Sequence, residues 1–208
     1  LVAPQAAPQA GALYVGALRK RRDERWDAVE RAFLFLEEAL VLERLSGETN
    51  EALAAYRQAL ALHPSSLLAA RGVERIAALH GDVPGQAVAH AALARLVEGK
   101  TVRSGHLTRA AALVEPTDHE SALLYLEDAI REDPDSREAA EALARMLHQS
   151  PDRLVEAFAD ALAAATTPAQ RRLLGLAMGE ATLRRATTHG APTDVGPGIT
   201  ATLKVLED

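Results

Sequence analysis

The sequence predicts an all-α fold, an α-solenoid of stacked antiparallel helix pairs, and three observations support this. Alanine and leucine, two strong helix formers, supply most of the apolar content of a 208-residue chain that is 48% hydrophobic and only 3% aromatic. A helical pattern of apolar residues recurs about every 35 residues. Prolines and glycines fall where these patterns end, as expected for short turns between helices.

The repeat is clearest in what we predict to be the second helix of each pair. Within one unit, Ala52, Tyr56, Ala59 and Leu60 fall at i, i+4, i+7 and i+8, which is one face of a helix. Steps of about 35 residues give two columns that contain only alanine: Ala52, Ala87, Ala122 and Ala157, and Ala59, Ala94, Ala129 and Ala164. Small side chains at recurring positions let helix backbones approach, and stacked pairs bury one extended core.

Five segments follow from this pattern. They are a linker or disordered N-terminus at 1–11, an N-terminal capping or extended helix at 12–32, about four repeats at 33–167 (33–66, 67–101, 102–136 and 137–167), a C-terminal capping helix at 168–189, and a Gly/Pro loop with a terminal helix at 190–208. We expect one long helix over 23–45, with Trp26 and Phe33 along one side. Core packing is the favoured role of these two aromatic residues, and anchoring a partner is the alternative.

The composition argues against several functions. A net charge of -6 does not suit a nucleic-acid binder, which needs a basic stripe. The chain has no cysteine, so disulfides and thiolate metal sites are excluded. Residues 1–10 lack the basic start and apolar run of a signal peptide, and no apolar stretch is long enough to span a membrane. The sequence favours a soluble, cytoplasmic protein.

Searches for catalytic motifs lead to no candidate. The seven histidines lack metal-ligand spacing such as HExxH, and neither a GxSxG motif nor a phosphate-binding loop occurs. We therefore predict no catalytic residues, no metal, no cofactor and no enzymatic activity. The basic run Arg19–Lys20–Arg21–Arg22 is interpreted as a solvated helix C-terminus, where positive charge is favourable, with contact to nucleic acid or anionic lipid as the alternative.

At this point the chain resembles the tetratricopeptide repeat family. Residues 33–66 resemble one complete repeat, with Gly47 in the turn and Pro64 at the end of the second helix. The second half of another repeat is carried by Ala122, Leu126, Ala129 and Pro134. The chain departs from the family where Leu40 and Glu74 replace the usual glycine of the first helix, and where Glu43 and Ala77 replace a late tyrosine.

The resemblance implies a right-handed superhelix whose concave groove, lined by the first helix of each pair, binds a partner peptide or helix. Carried onto this sequence, it implies these groove residues: Leu34, Glu37, Val41, Arg44, Leu68, Arg71, Arg75, Leu107, Ala111, Glu138, Glu141 and Arg145. Glu37 and Val41 stand where some family members carry a carboxylate clamp, so we expect no such clamp. Charge reversal at Arg71 and Arg75 is predicted to weaken partner binding without unfolding the chain.

The leading hypothesis is therefore a protein–protein interaction scaffold or adaptor with unidentified protein partners. Three alternatives remain open. The chain could be a regulatory or docking domain of a larger multidomain protein whose enzymatic part lies elsewhere. It could bind RNA through a helical repeat, which the acidic balance disfavours. It could also form a homo-oligomer or a subunit of a larger assembly, because an unshielded end of a stack exposes apolar surface.

Overall fold

The computed structural model describes residues 6–189 and confirms an all-α fold. These residues form ten α-helices and one π-helical turn, and they contain no β-strand. The helices are α1 Ala6–Asp23, α2 Ala28–Val41 with the π-helical turn Leu42–Ser46, α3 Thr49–Leu62, α4 Leu67–His80, α5 Val83–Leu96, α6 Lys100–Val114, α7 His119–Glu132, α8 Arg137–Met146, α9 Pro151–Ala164 and α10 Pro168–His189. The predicted Gly/Pro loop and terminal helix lie outside the described residues, as do residues 1–5 of the predicted linker.

The helix boundaries follow from local capping chemistry. Five helices begin after an Asp or Ser whose side chain accepts a hydrogen bond from the backbone N–H three residues later, which satisfies a donor that the helix leaves unpaired. These residues are Asp27, Ser66, Asp82, Asp118 and Ser136. Gly47 and Gly81 end the preceding helices at φ 71° and 65°, a left-handed conformation that glycine adopts without a Cβ clash.

The predicted long helix over 23–45 is instead two helices with a break between α1 and α2. Asp27 has an extended backbone, φ -71° and ψ 127°, and its side chain accepts a hydrogen bond from Glu30 N at 2.8 Å. The cap starts a new helix and leaves Trp26 just outside it. At its C-terminal end, α2 continues into the π-helical turn. The second helix therefore reaches the end of the predicted range 23–45.

The chain divides into two compact units, residues 1–97 and 98–208. In the first unit, α1 packs on α2, α2 on α3, α3 on α4 and α4 on α5. Its core is made mostly of alanine and leucine around one large side chain, Tyr56, which is 1% exposed. The short turns place consecutive helices antiparallel.

In the second unit, α7 is the central helix and packs against α6, α8 and α9, while α9 packs against α10. Arg153 on α9 binds Glu120 and Glu127 of α7 at 2.9 and 3.2 Å. The backbones of α8 and α9 stay apart, in contrast to the closely packed α6 and α7. This separation opens a cleft beside α10, which is described below.

The predicted alanine columns are buried in three of the four repeats. Ala59, Ala94 and Ala129 are 1%, 5% and 0% exposed. In α9 the predicted alanine is not buried, because Ala164 is exposed. Phe158 and Ala161 are buried instead, at 1% and 3% exposed. Among the helices within residues 6–189, none combines the length and the apolar character needed to cross a lipid bilayer.

Candidate partner-binding surfaces

The predicted groove residues on α2 lie beneath α1. Leu34 is only 7% exposed, and Glu37 accepts a hydrogen bond from the Tyr14 hydroxyl, which raises the pKa of that phenol. A Cβ on Gly11 would lie 2.9 Å from Ser46 Oγ and 3.9 Å from Val41 Cγ1, so the glycine lets α1 approach the π-helical turn that continues α2. The chain's own first helix therefore occupies part of this face, where Leu34 is closed to a partner and Val41 is half-buried.

The basic run of α1 is divided between a buried and a solvent-facing side. Arg19 Nε lies 2.6 Å from Glu38 Oε1, and the Arg22 guanidinium binds the other oxygen of the same carboxylate. The Glu38 side chain is 5% exposed, and the Arg22 guanidinium also lies 4.0 Å from the centre of the Phe35 ring. Two arginines thus attach α1 to α2, contrary to the expectation that the whole run is solvated.

The predicted groove residues on α4 and beside it face the solvent but are partly engaged. Leu68 is 64% exposed, and Arg71 NH1 binds Glu74 Oε2 at 2.9 Å on the same helix. Arg75 pairs with Glu43 of the π-helical turn, with NH2 3.0 Å from Oε2. Arg44 is exposed. Arg75 therefore joins two helices, whereas Leu68 and Arg71 remain open to a partner.

The remaining predicted groove residues belong to the second unit and have different environments. Leu107 and Ala111 are 9% and 2% exposed, so they contribute to the core. Arg145 holds Glu115 through two hydrogen bonds of 2.5 and 2.9 Å, and these bonds lower the pKa of the Glu115 carboxyl. Glu138 borders a cavity of about 430 Å³ alongside α6.

The one predicted groove residue not yet described, Glu141, lies at the edge of an apolar cleft that we call the α8–α10 cleft. Its volume is about 180 Å³, and most of its lining side chains are apolar. The lining side chains come from α8, α9 and α10: Ala140 and Ala144, Leu154 and Phe158, and Leu173, Leu174, Ala177 and Ala181. Ion pairs Arg137–Glu141 and Arg184–Glu180 stand at the rim.

A second exposed apolar feature, which we call the aromatic surface, consists of Trp26, Val29 and Phe33. Their side chains are 99%, 43% and 57% exposed. The Phe33 ring lies with its centroid 6.0 Å from that of His63 at the end of α3. Core packing of Trp26 and Phe33, which we favoured from the sequence, is therefore wrong.

A sequence signal for this exposure was present. Asp27 followed three residues later by Glu30 is a helix-start signature, and it places the tryptophan before the helix rather than within it. The apolar spacing of Trp26, Val29 and Phe33 continues across the start of α2. This continuity concealed the helix boundary and suggested a buried stripe.

Comparison with models of protein families finds no match for this chain, and comparison with curated proteins also finds none. The resemblance to the tetratricopeptide family rests on the residues named above. The surfaces of the two units are therefore the basis for a proposal about function.

Proposed function

We propose that this chain is a protein-interaction scaffold, not an enzyme, and that it binds a peptide or helix of a partner protein. The observation that carries the proposal is the aromatic surface. The single tryptophan of the chain is 99% exposed, and it immediately precedes α2, on which the exposed Val29 and Phe33 are four residues apart and share one face. Contiguous exposed apolar surface is typical of interaction sites, and tryptophan is enriched among residues that dominate binding energy.

The dimensions of the aromatic surface suit a short partner segment. Val29 and Phe33 are separated by about 6 Å of helical rise, and Trp26 lies just before the cap residue Asp27, so the surface matches one to two turns of a partner helix or a few residues of an extended strand. Residues 23–33 carry four acidic and two basic side chains, and Arg25 NH1 lies 3.6 Å from Glu30 Oε2. An apolar surface without an excess of basic residues favours a protein partner over the phosphate backbone of RNA.

We also propose that the helix pairs belong to a tetratricopeptide-like solenoid with a right-handed superhelix. The recurring buried alanines and the short capped helices support this arrangement within each unit. Leu68 and Arg71, which remain open on α4, would extend the contact with a bound peptide along the concave groove that the resemblance implies.

The test uses peptides selected from a random library on the purified chain. Because Trp26 is the only tryptophan, binding at the aromatic surface shifts its fluorescence emission to shorter wavelength and protects it from a soluble quencher. We expect the selected peptides to lose binding to the variant Trp26→Ala, Phe33→Ala. They should retain it in Leu79→Ala, a control at a 71% exposed leucine of α4.

Two results would contradict the proposal. One is that peptides bind the double variant as tightly as the unmodified chain. The other is that no peptide binds while single-stranded RNA does so in a salt-dependent manner, which would favour the RNA-binding alternative.

A further inference from the structure

The α10 helix carries both a cavity and protruding side chains. Ala177 lines the α8–α10 cleft, whereas Leu176 and Leu183 are 53% and 50% exposed. At about 100° per residue, the two leucines lie within about 20° of each other and about 100° from Ala177. The helix therefore presents a hollow on one side and two adjacent leucines on a neighbouring side.

The size and lining of the α8–α10 cleft indicate what fills it. About 180 Å³ is below the roughly 300–1,000 Å³ of small-molecule sites. The walls formed by Ala140, Ala144 and Ala177 offer no hydrogen bonds to hold a water, and the four charged side chains that also line the cleft are paired with one another at its rim. An aliphatic side chain from another protein surface suits this space better than a cofactor or solvent.

A two-fold symmetry axis would match these two sides to each other. If the axis runs parallel to α10, rotation by 180° places the leucine side of each copy against the cleft side of the other. Leu176 or Leu183 of one copy then enters the cleft of its neighbour, and the reverse contact forms as well. Such an interface uses the same surface twice, as closed dimers do.

The charges at the rim are also self-complementary. Arg137 Nε binds Glu141 Oε1 at 2.6 Å on α8, and Arg184 NH2 binds Glu180 Oε1 at 2.5 Å on α10. Both ion pairs form within one copy, and two arginines with two glutamates give no net charge, so the rim of one copy matches the neutral rim of another. A partner of strong net charge would find no such match.

From the hollow, the leucines and the balanced rim, we infer that a second copy of this chain occupies the α8–α10 cleft. The chain is then a two-fold dimer, and each leucine pair fills the cleft of the other copy. The surface lies in the second unit, so this inference does not depend on the aromatic surface of the first.

The test is sedimentation velocity of the full chain across micromolar to millimolar concentrations. We expect a reversible monomer–dimer equilibrium. Leu176→Ala, Leu183→Ala removes the protruding side chains and should raise the dimer dissociation constant on the order of 100-fold. Ala144→Phe fills the hollow and should have a similar effect. Leu79→Ala, outside the second unit, should leave the constant unchanged.

Mixing the two defective chains gives the sharpest result. Each variant alone retains no intact contact, but a mixed pair retains one, with leucines from the filled-cleft chain entering the open cleft of the other. We expect mixed dimers to form more readily than either variant dimer. Should Ala144→Phe lower the melting temperature, Ala140→Leu fills the same hollow with a smaller side chain. A chain that stays monomeric, or a dimer that all variants leave unchanged, overturns the inference.

Discussion

The ring of Tyr56 on α3 lies directly against the backbone of Gly72 on α4. A Cβ added to Gly72 would stand 2.5 Å from the ring carbon Cδ1. Tyr56 is 1% exposed, and its hydroxyl donates to Glu43 Oε2 at 2.8 Å. Burial raises the pKa of this phenol, so the hydroxyl remains a donor at neutral pH. The large side chain of Tyr56 thus packs where Gly72 has no side chain, and this contact sets the distance between α3 and α4.

Gly72→Ala is the first test of this contact. A methyl group at Gly72 must displace the ring of a buried residue in a close-packed core, and overpacking of this kind costs about 1–3 kcal/mol. The higher helix propensity of alanine offsets about 1 kcal/mol at most. We expect a lower free energy of unfolding in urea. In a Tyr56→Leu background the same change should cost less, and an equal cost in both backgrounds would contradict the proposed contact.

Arg75→Glu tests the ion pair between α4 and the π-helical turn. The substitution places a carboxylate beside Glu43, whose side chain is 18% exposed, so we expect a loss of about 1 kcal/mol. Arg71→Glu breaks only a pair within one helix and should cost about 0.5 kcal/mol or less. Chemical denaturation of both variants provides the measurement. Equal effects would show that Arg75 does not join the two helices.

This pair also changes how partner binding is tested on α4. We predicted that reversing Arg71 and Arg75 together weakens binding without unfolding the chain. Because Arg75 holds Glu43, a loss of binding in the double variant would mix a structural effect with a direct one. Arg71→Glu alone is the cleaner probe of the predicted groove.

The Tyr56–Gly72 contact shows how far sequence could lead. Tyr56 and the helix that carries it were predicted, because apolar periodicity and a closing proline identify a helix well. The family register places the usual glycine of the first helix at Glu74, so the sequence analysis identified no small residue opposite Tyr56. Only the packing of α3 on α4 shows that Gly72 fills this role, since spacing alone does not fix the rotation of one helix against its neighbour.

The repeat length was predicted as an average rather than as a constant. The second helices α3, α5, α7 and α9 begin at residues 49, 83, 119 and 151, so the steps are 34, 36 and 32 residues. A uniform step of 35 therefore matches α7 but misses α9, where Leu154, Phe158 and Ala161 are buried. Turns of unequal length separate the helices, and an alanine-rich sequence offers plausible matches in several registers.

The candidate sites were harder to predict than the fold. Positions carried from the family assume that the first helix of each pair faces an open groove, but α1 packs against α2 and Leu34 is buried. The aromatic surface depends on the break between α1 and α2 that Asp27 caps. The α8–α10 cleft depends on the separation of α8 from α9. Neither feature leaves a periodic signal, because both are interruptions of the repeat.

Asp133 provides a prediction about pH. Its side chain is 3% exposed, and burial alone would raise its pKa. Thr101 Oγ1 and Asp135 N donate to the carboxylate at 2.7 and 3.2 Å, and Lys100 Nζ lies 3.4 Å away. Together these groups lower the pKa below its usual value of 3.8.

A folded-state pKa below the unfolded value stabilises the fold above the unfolded pKa, and this contribution is lost as the pH falls through the folded pKa. We expect Asp133→Asn to cost about 1–3 kcal/mol at pH 7 and progressively less below about pH 4. Urea unfolding at several pH values, with the exposed Asp160→Asn as control, provides the measurement. A penalty that does not change with pH would mean that the charge of Asp133 is not what stabilises this corner.

Glu38 joins α2 to α1 through two ion pairs. Its carboxylate is 5% exposed and binds both Arg19 and Arg22, whose side chains are 45% and 16% exposed. Glu38→Gln keeps the size of the side chain but leaves the partly buried Arg22 without its counter-charge. The cost of breaking such a pair is about 3–5 kcal/mol when both groups are fully buried, and we expect about 1–3 kcal/mol here because Arg19 reaches solvent.

The loss should be local rather than global, because α1 contacts the rest of the first unit mainly through α2 and its π-helical turn. Amide hydrogen exchange in Glu38→Gln should therefore speed up across α1 and expose Leu34, while α4 keeps its protection. Lys20→Gln removes an exposed charge from the same run and is the matched control. If α1 exchanges at the same rate in both variants, apolar contacts at Val15 and Leu18, which are each 4% exposed, are sufficient to hold the helix in place.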